Sequence, residues 1–205
     1  MTLAAFIGIA LIHLAAAASP GPAFVVAVRT AAAEGLRPAI GLALGLGIAA
    51  ATWALAALLG LAVLFEVAPA LLTVLKVVGG AFLIWIAWKT WQHAGDPLPT
   101  PGSDIATPRS FLSAVRLGMA TQFANPKPAV FFGAVFVGLV PPGTAPVLLT
   151  ALIAVVFLQE TLWYVMVARV FSLSGPRTAY ARFKAAVDRS FGGLIALFGI
   201  KIAAP

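Results

Sequence analysis

Long apolar stretches separated by short polar segments form the dominant pattern of this chain. Six stretches are long enough, or nearly long enough, to cross a bilayer, which takes about 20 residues in a helix. They are residues 3–28, 39–65, 70–88, 117–140, 147–168 and 187–204. The pattern therefore predicts an all-α integral membrane protein with six transmembrane helices.

The first and fourth stretches each contain a proline-rich element near the middle. These elements are Ser19-Pro20-Gly21-Pro22 and Asn125-Pro126-Lys127-Pro128. Proline removes a backbone donor and clashes with the preceding turn, so each element should break its helix. Polar backbone freed at membrane depth must be buried in protein or line a cavity. Matched breaks in two halves point to a substrate site near the midplane, although two purely structural kinks are an alternative.

The two broken elements supply the predicted substrate-binding residues. They are Ser19, Pro20, Gly21, Pro22, Asn125, Pro126 and Lys127. Ser19 offers a hydroxyl, Asn125 can donate and accept hydrogen bonds, and Lys127 can pair with a carboxylate. Free N–H groups at broken helix ends suit a carboxylate, and free carbonyls suit an ammonium group. A zwitterion matches such a site, without identifying an amino acid.

The chain divides into two halves of similar length. We predict a first three-helix repeat over 1–91, a cytoplasmic linker over 92–110 and a second repeat over 111–205, since residues 97–108 of the linker contain four prolines. Besides the proline elements, residues 76–80 and 189–193 each consist of a basic residue followed three positions later by a Gly-Gly pair. Three spans per half would invert the second copy relative to the first. Coincidence in a chain rich in glycine and alanine is the alternative.

Composition excludes several functional classes. The chain is 62% hydrophobic and 9% charged, and it has no cysteine. It shows no glycine-rich phosphate loop, and its two histidines are far apart in sequence. No loop gathers the acids, histidines or nucleophiles that catalysis requires. We therefore predict no enzyme activity, no cofactor and no metal site.

The basic residues lie mostly between apolar stretches, so they indicate orientation and not nucleic-acid binding. They follow the first, third and fifth stretches: Arg29, Arg37, Lys89, Arg109, Arg169, Arg177, Arg182, Lys184 and Arg189. By the positive-inside rule, these three loops face the cytoplasm and both termini lie outside. Gly41 and Gly45 are expected to let helices approach closely.

Three charged residues fall well inside the predicted spans: Lys76, Lys127 and Glu160. A charge at the centre of a membrane helix costs at least about 2.5 kcal/mol, so it should face the interior, a partner or water. Glu160 is the carboxylate among them and the candidate for proton coupling. The alternative is a structural ion pair of Glu160 with Lys127 or Arg169. We expect Lys76 to reach the interface and His13 to pack or to form hydrogen bonds.

These motifs together resemble the LysE family of amino-acid exporters. The resemblance covers nearly the whole chain and rests on the elements at 19–22 and 125–127, Gly35, Gly41, Gly45, the run 76–85, Phe131-Phe132 and 191–193. It implies a secondary exporter of amino acids or related zwitterionic metabolites, exchanging them for protons as a homo-oligomer in the bacterial inner membrane. It also implies a carboxylate in the fifth span, where Glu160 stands.

Two other readings of the residues remain open. Polar groups at the breaks would also permit transport of a cation or another small metabolite. Alternatively, the protein is a non-transporting membrane assembly protein whose proline breaks only shape its helices.

The predicted orientation is testable with terminal fusions. We expect a reporter that is active only outside the cytoplasm to be active at both the N-terminus and the C-terminus, because the basic loops stay inside. Finding either terminus in the cytoplasm would overturn the six-span model in its predicted orientation.

Overall fold

The structure is a computed structural model that describes residues 1–19, 21–67, 69–96 and 108–203. The regular structure in these ranges is helical. The helices are α1 (Leu3–Ala18), α2 (Pro22–Glu34), α3 (Leu36–Val67), α4 (Pro69–Gln92), α5 (Phe111–Ala124), α6 (Pro126–Leu139), α7 (Pro146–Phe171) and α8 (Ser174–Ala203). The all-α prediction is confirmed, and most of the predicted linker lies outside the described residues.

Both predicted helix breaks are confirmed. The first apolar stretch forms α1 and α2, which are bent by 58° relative to one another. The fourth stretch forms α5 and α6, and Asn125 separates them. A proline stands in the first turn of α2 and of α6, where its missing N–H costs no helical hydrogen bond.

The predicted boundaries differ most at the last helix. Residues 177, 182 and 184 were expected in a loop, but they belong to α8, which starts at Ser174. The hydropathy pattern detects only the apolar part of this helix. Its polar part includes an ion pair between Lys184 Nζ and Asp188 Oδ2 at 2.8 Å, one helical turn apart.

The predicted first span also ends too early. It was expected to stop at residue 28, but α2 continues to Glu34 and ends at Gly35, whose φ is 90°. Glycine adopts this backbone conformation without the steric cost that a Cβ brings. The conformation of Gly35, and not the first charged residue, ends the helix.

Two described helices are each long and apolar enough to cross a membrane. They are α3, over Leu36–Gly60, and α7, over Pro146–Phe171. The bent pair of α1 and α2 adds a third span if the two helices are counted together. This supports a membrane protein, and the arrangement of six spans in inverted repeats stays a prediction.

Helix α3 packs closely against α5 through small residues, as expected for Gly41 and Gly45. A Cβ added at Gly41 would lie 2.7 Å from the Phe111 carbonyl oxygen, and one at Gly45 would clash with the Val115 carbonyl. From the other side, a Cβ at Gly118 would clash with the Leu42 carbonyl. Backbones in such contact leave no room for a side chain, so these glycines fix the distance between α3 and α5.

Helix α3 also packs against α7, since Gly47 faces Thr161 and the Phe157 carbonyl. Helix α3 thus positions both α5 and α7 in the middle of the fold. These two helices carry polar side chains that meet at the breaks, as described below.

The glycine contact predicts a position-dependent loss of stability within α3. We expect Gly45→Ala to lower the free energy of unfolding by about 1–3 kcal/mol, because the new methyl group forces α5 away. Thermal unfolding of the purified protein measures this loss. Gly60→Ala is the matched control, since no described residue lies within 4 Å of a Cβ added there. Equal stability of the two variants would contradict this account of the packing.

Candidate functional site

The two helix breaks meet in space. The Lys127 ammonium group, at the start of α6, donates hydrogen bonds to the Ser19 carbonyl oxygen at 2.9 Å and to Ser19 Oγ at 3.0 Å. Gly21 lies beside the same side chain, since a Cβ added to it would be 3.9 Å from Lys127 Nζ. The sequence elements predicted to bind substrate are therefore brought together, although 108 positions separate Ser19 from Lys127.

Local sequence explains why the backbone is open at these points. Ser19 follows the last residue of α1. Its carbonyl oxygen accepts a hydrogen bond from Lys127 Nζ at the break. Asn125 caps α6 by accepting a hydrogen bond from the Lys127 backbone N–H to its Oδ1 at 3.1 Å. Gly21 precedes α2 at the N-cap position, and no side chain caps this helix end. The two breaks thus bring together the C-terminal end of α1, the N-terminal ends of α2 and α6, and the Lys127 ammonium group.

A second polar group surrounds Glu160 on α7. Gln122 Nε2, from α5, donates to Glu160 Oε1 at 2.6 Å. His13 Nε2, from α1, lies 3.4 Å from Glu160 Oε2. All three side chains are buried, so α1, α5 and α7 are joined by polar contacts in the interior. Buried polar side chains require such partners, because removing them from water has a large cost.

His13 has a defined orientation within this group. Its Nδ1 lies 3.0 Å from Gln159 Oε1, and its ring is stacked on Phe132 with centroids 5.5 Å apart. With the Gln159 amide oxygen as acceptor, Nδ1 is the donor of this contact, and Nε2 faces the carboxylate.

The alternative partners predicted for Glu160 do not occur among the described ion pairs. Lys127 binds Ser19, and Arg169 is exposed at the end of α7. His13 instead contacts the carboxylate. The expectation that His13 packs or forms hydrogen bonds is confirmed, and its position next to Glu160 is new.

Sequence reasoning missed two members of this group, His13 and Gln122. His13 is the one polar side chain within α1, which is a usable signal in an apolar helix. Gln122 lies three positions before the second break and resembles an ordinary polar residue at a helix end. Its contact with Glu160 spans 38 positions and depends on how α5 packs against α7.

The remaining predicted residues occupy different places. Pro22 is exposed at the start of α2. Pro20 lies outside the described residues, as do the side chains of Pro126 and Lys76. Pro126 begins α6 in the described backbone. For Pro22 and Pro126, the described role is to start a helix.

A small cavity lies between the break and the Glu160 group. Its lining includes Ser19, Gly21, Asn125 and Lys127 from the breaks, and His13, Gln122, Glu160 and Tyr164 beside them. Its volume of about 30 Å³ has room for water, which needs roughly 10–15 Å³ on the same measure.

A second buried carboxylate forms an ion pair at another place. Glu34, at the end of α2, lies 3.1 Å from Arg109 Nε and accepts a hydrogen bond from the Arg109 backbone N–H at 2.9 Å. Its side chain is 2% exposed. Sequence reasoning had placed Arg109 in a loop and did not single out Glu34. This pair connects the end of α2 to the segment before α5.

Polar side chains gathered at broken, apolar helices define a membrane transporter and not an enzyme. The chain belongs to the LysE type translocator family, whose sequence model matches residues 14–204. The relationship extends over both halves of the chain.

Several relatives align over nearly the whole length. The threonine efflux protein of Escherichia coli K12 is 32% identical over 202 residues, covering 96% of each chain. That of Salmonella typhi is 31% identical, with 96% of each chain covered. The uncharacterized membrane protein YahN of Escherichia coli K12 is 28% identical, covering 90% of this chain and 82% of its own. No solved structure matches this chain.

The contact between the breaks yields a stability prediction. We expect Lys127→Met to lower the free energy of unfolding by about 1–3 kcal/mol, because the Ser19 carbonyl loses its described donor in a buried place. Thermal unfolding in detergent measures the change, with Arg116→Met as the control because Arg116 is exposed on α5. An unfolding temperature unchanged from wild type would show that the contact does not stabilise the fold.

Proposed function

We propose that this protein exports amino acids or related zwitterions from the bacterial cytoplasm across the inner membrane, in exchange for protons. The observation that carries the proposal is one cavity lined by a cation, Lys127, and by a carboxylate, Glu160. Family membership and relatives named threonine efflux protein support the substrate class. Threonine is therefore the first amino acid to test.

The polarity of the site suits both ends of an amino acid. The substrate carboxylate would bind Lys127 together with the N-terminal ends of α2 and α6, whose free N–H groups favour anions. The Ser19 carbonyl and hydroxyl, which now accept from Lys127, would become available to the substrate when Lys127 turns to the carboxylate. Replacing the contact between Lys127 and Ser19 by substrate contacts would leave few polar groups unsatisfied.

Glu160 is proposed as the group that binds the transported proton. It is buried, and the other ionisable side chains described in the cavity lining are His13, Lys127 and Tyr164. A carboxylate in such a place changes protonation with the state of its surroundings. Opening to the outside would allow it to take a proton, and opening to the cytoplasm would allow it to release one.

The architecture that we propose for transport is six spans in two inverted repeats, with α1–α2 equivalent to α5–α6. The packing supports this, because α3 contacts α7 and α4 contacts α8, pairing the helices that the repeats would relate. Rocking of one repeat against the other would then open the site alternately to each side. We place both termini outside on the basis of the basic loops, and we propose a homo-oligomer from the family resemblance.

Transport into inside-out membrane vesicles tests the proposal. Respiration acidifies the vesicle interior, so an exporter that exchanges protons should accumulate radiolabelled threonine there, and a protonophore should abolish the accumulation. We expect Glu160→Gln to lose this dependence on the proton gradient, since a glutamine keeps the shape of the side chain and cannot titrate. Asp96→Asn is the control, because it removes an exposed carboxylate.

Two results would contradict parts of this proposal. Failure of every amino acid in a panel to accumulate, with the protein folded and inserted, would refute the substrate class. Gradient-driven accumulation by Glu160→Gln at the wild-type rate would refute the proton-binding role of Glu160 and leave the substrate class intact.

A further inference from the structure

Gln122 has one buried hydrogen-bond acceptor without a partner. Its side chain is 3% exposed and lines the cavity. The Nε2 atom donates to Glu160, while no described residue donates to Oε1. A buried acceptor without a donor destabilises a protein, so a native example calls for an explanation.

The orientation of the Gln122 amide follows from its neighbour. An ionised carboxylate only accepts hydrogen bonds, so Gln122 must present Nε2 to Glu160 and leave Oε1 free. The main chain at this position is also held in place, since the Gln122 carbonyl accepts from Trp53 Nε1 at 3.4 Å and from the Asn125 N–H at 3.3 Å. While Glu160 is ionised, the free oxygen therefore lies beside the cavity.

We propose that Gln122 Oε1 binds the ammonium group of the substrate and selects amino acids over acids that lack an amine. This inference rests on the proposed function and adds a residue to it. An ammonium group brings three donors, which the cavity otherwise has few free acceptors to receive. Lys127, which lines the same cavity, would bind the carboxylate, so the two residues would contact opposite ends of the ligand.

The same amide connects substrate binding to protonation of Glu160. Once protonated, Glu160 carries a donor, and the Gln122 amide can turn so that Oε1 accepts from it. Nε2 then faces the cavity and opposes an ammonium group. Protonation of Glu160 and binding of the amine at Gln122 thus exclude one another. Such exclusion is what the exchange of a proton for an amino acid requires.

Other ionisable groups also lie near Glu160. His13 approaches it from α1 and Lys127 from α6, while Tyr164 stands one turn further along α7. From α3, the described neighbours are Gly47, which faces Thr161, and Trp53, which binds the Gln122 carbonyl. Neither titrates, whereas a proton gained by His13 would oppose an ammonium group in the same sense as a proton on Glu160.

Binding of two matched ligands tests the role of Gln122. L-Threonine and 3-hydroxybutyrate share a carboxylate, a hydroxyl and a methyl group, and only threonine has an amine. We expect wild-type protein in lipid nanodiscs to bind threonine about tenfold or more tightly than 3-hydroxybutyrate, as a hydrogen bond to a charged group allows. In Gln122→Met this ratio should fall by at least about threefold, as the loss of one hydrogen bond allows, with the affinity for 3-hydroxybutyrate unchanged.

The control is Gln92→Met, which removes an exposed amide at the end of α4 and should keep the wild-type ratio. A ratio preserved in Gln122→Met, or an equal loss of both ligands, would overturn the inference while leaving amino-acid export in place. Binding of neither ligand, nor of any other amino acid, by the wild-type protein would overturn the proposed function and this inference together.

A second measurement needs no variant and so does not depend on the folding of Gln122→Met. Lowering the pH from about 8 to about 5 should weaken threonine binding more than 3-hydroxybutyrate binding, because only the amine competes with the proton on Glu160. Equal pH dependence of the two affinities would contradict the exclusion between amine and proton.

Discussion

The hydrogen bonds from Lys127 to Ser19 are the interaction on which the centre of this protein depends. Each proline element opens a helix where hydrocarbon could not satisfy the freed backbone groups. The two openings are tolerated because they face one another, and the cation of one binds the carbonyl and hydroxyl of the other. The two helix breaks therefore form one polar site. Two kinks that lay apart in the structure would not form such a site.

The close packing of α3 makes this arrangement possible. Gly41 and Gly45 hold α5 near, and Gly47 holds α7 near, so Gln122 and Glu160 come within hydrogen-bonding distance. His13 extends the group to α1. A cavity of about 30 Å³ remains between this group and the breaks. In the proposed transport cycle, a zwitterion would replace the contact between Lys127 and Ser19, so the buried charges would keep partners in both the empty and the loaded state.

Features determined by local sequence were predictable. Proline breaks a helix wherever it stands in the interior, so both breaks were predicted correctly, and glycines in an apolar helix indicated close packing. The start of α8 was missed because its polar turns resemble a loop when only hydropathy is considered. The contacts of His13 and Gln122 were not predictable, since each depends on which helices become neighbours across 147 and 38 positions of sequence.

The central claim is that the two breaks face one another across one substrate cavity, and the lack of native cysteine permits a direct measurement. Ser19→Cys and Lys127→Cys, combined in one chain, should be joined rapidly by a short thiol-specific crosslinker. Ser19→Cys with Lys184→Cys serves as the distant pair. Crosslinking of 19 to 127 no faster than that of the distant pair would contradict the account.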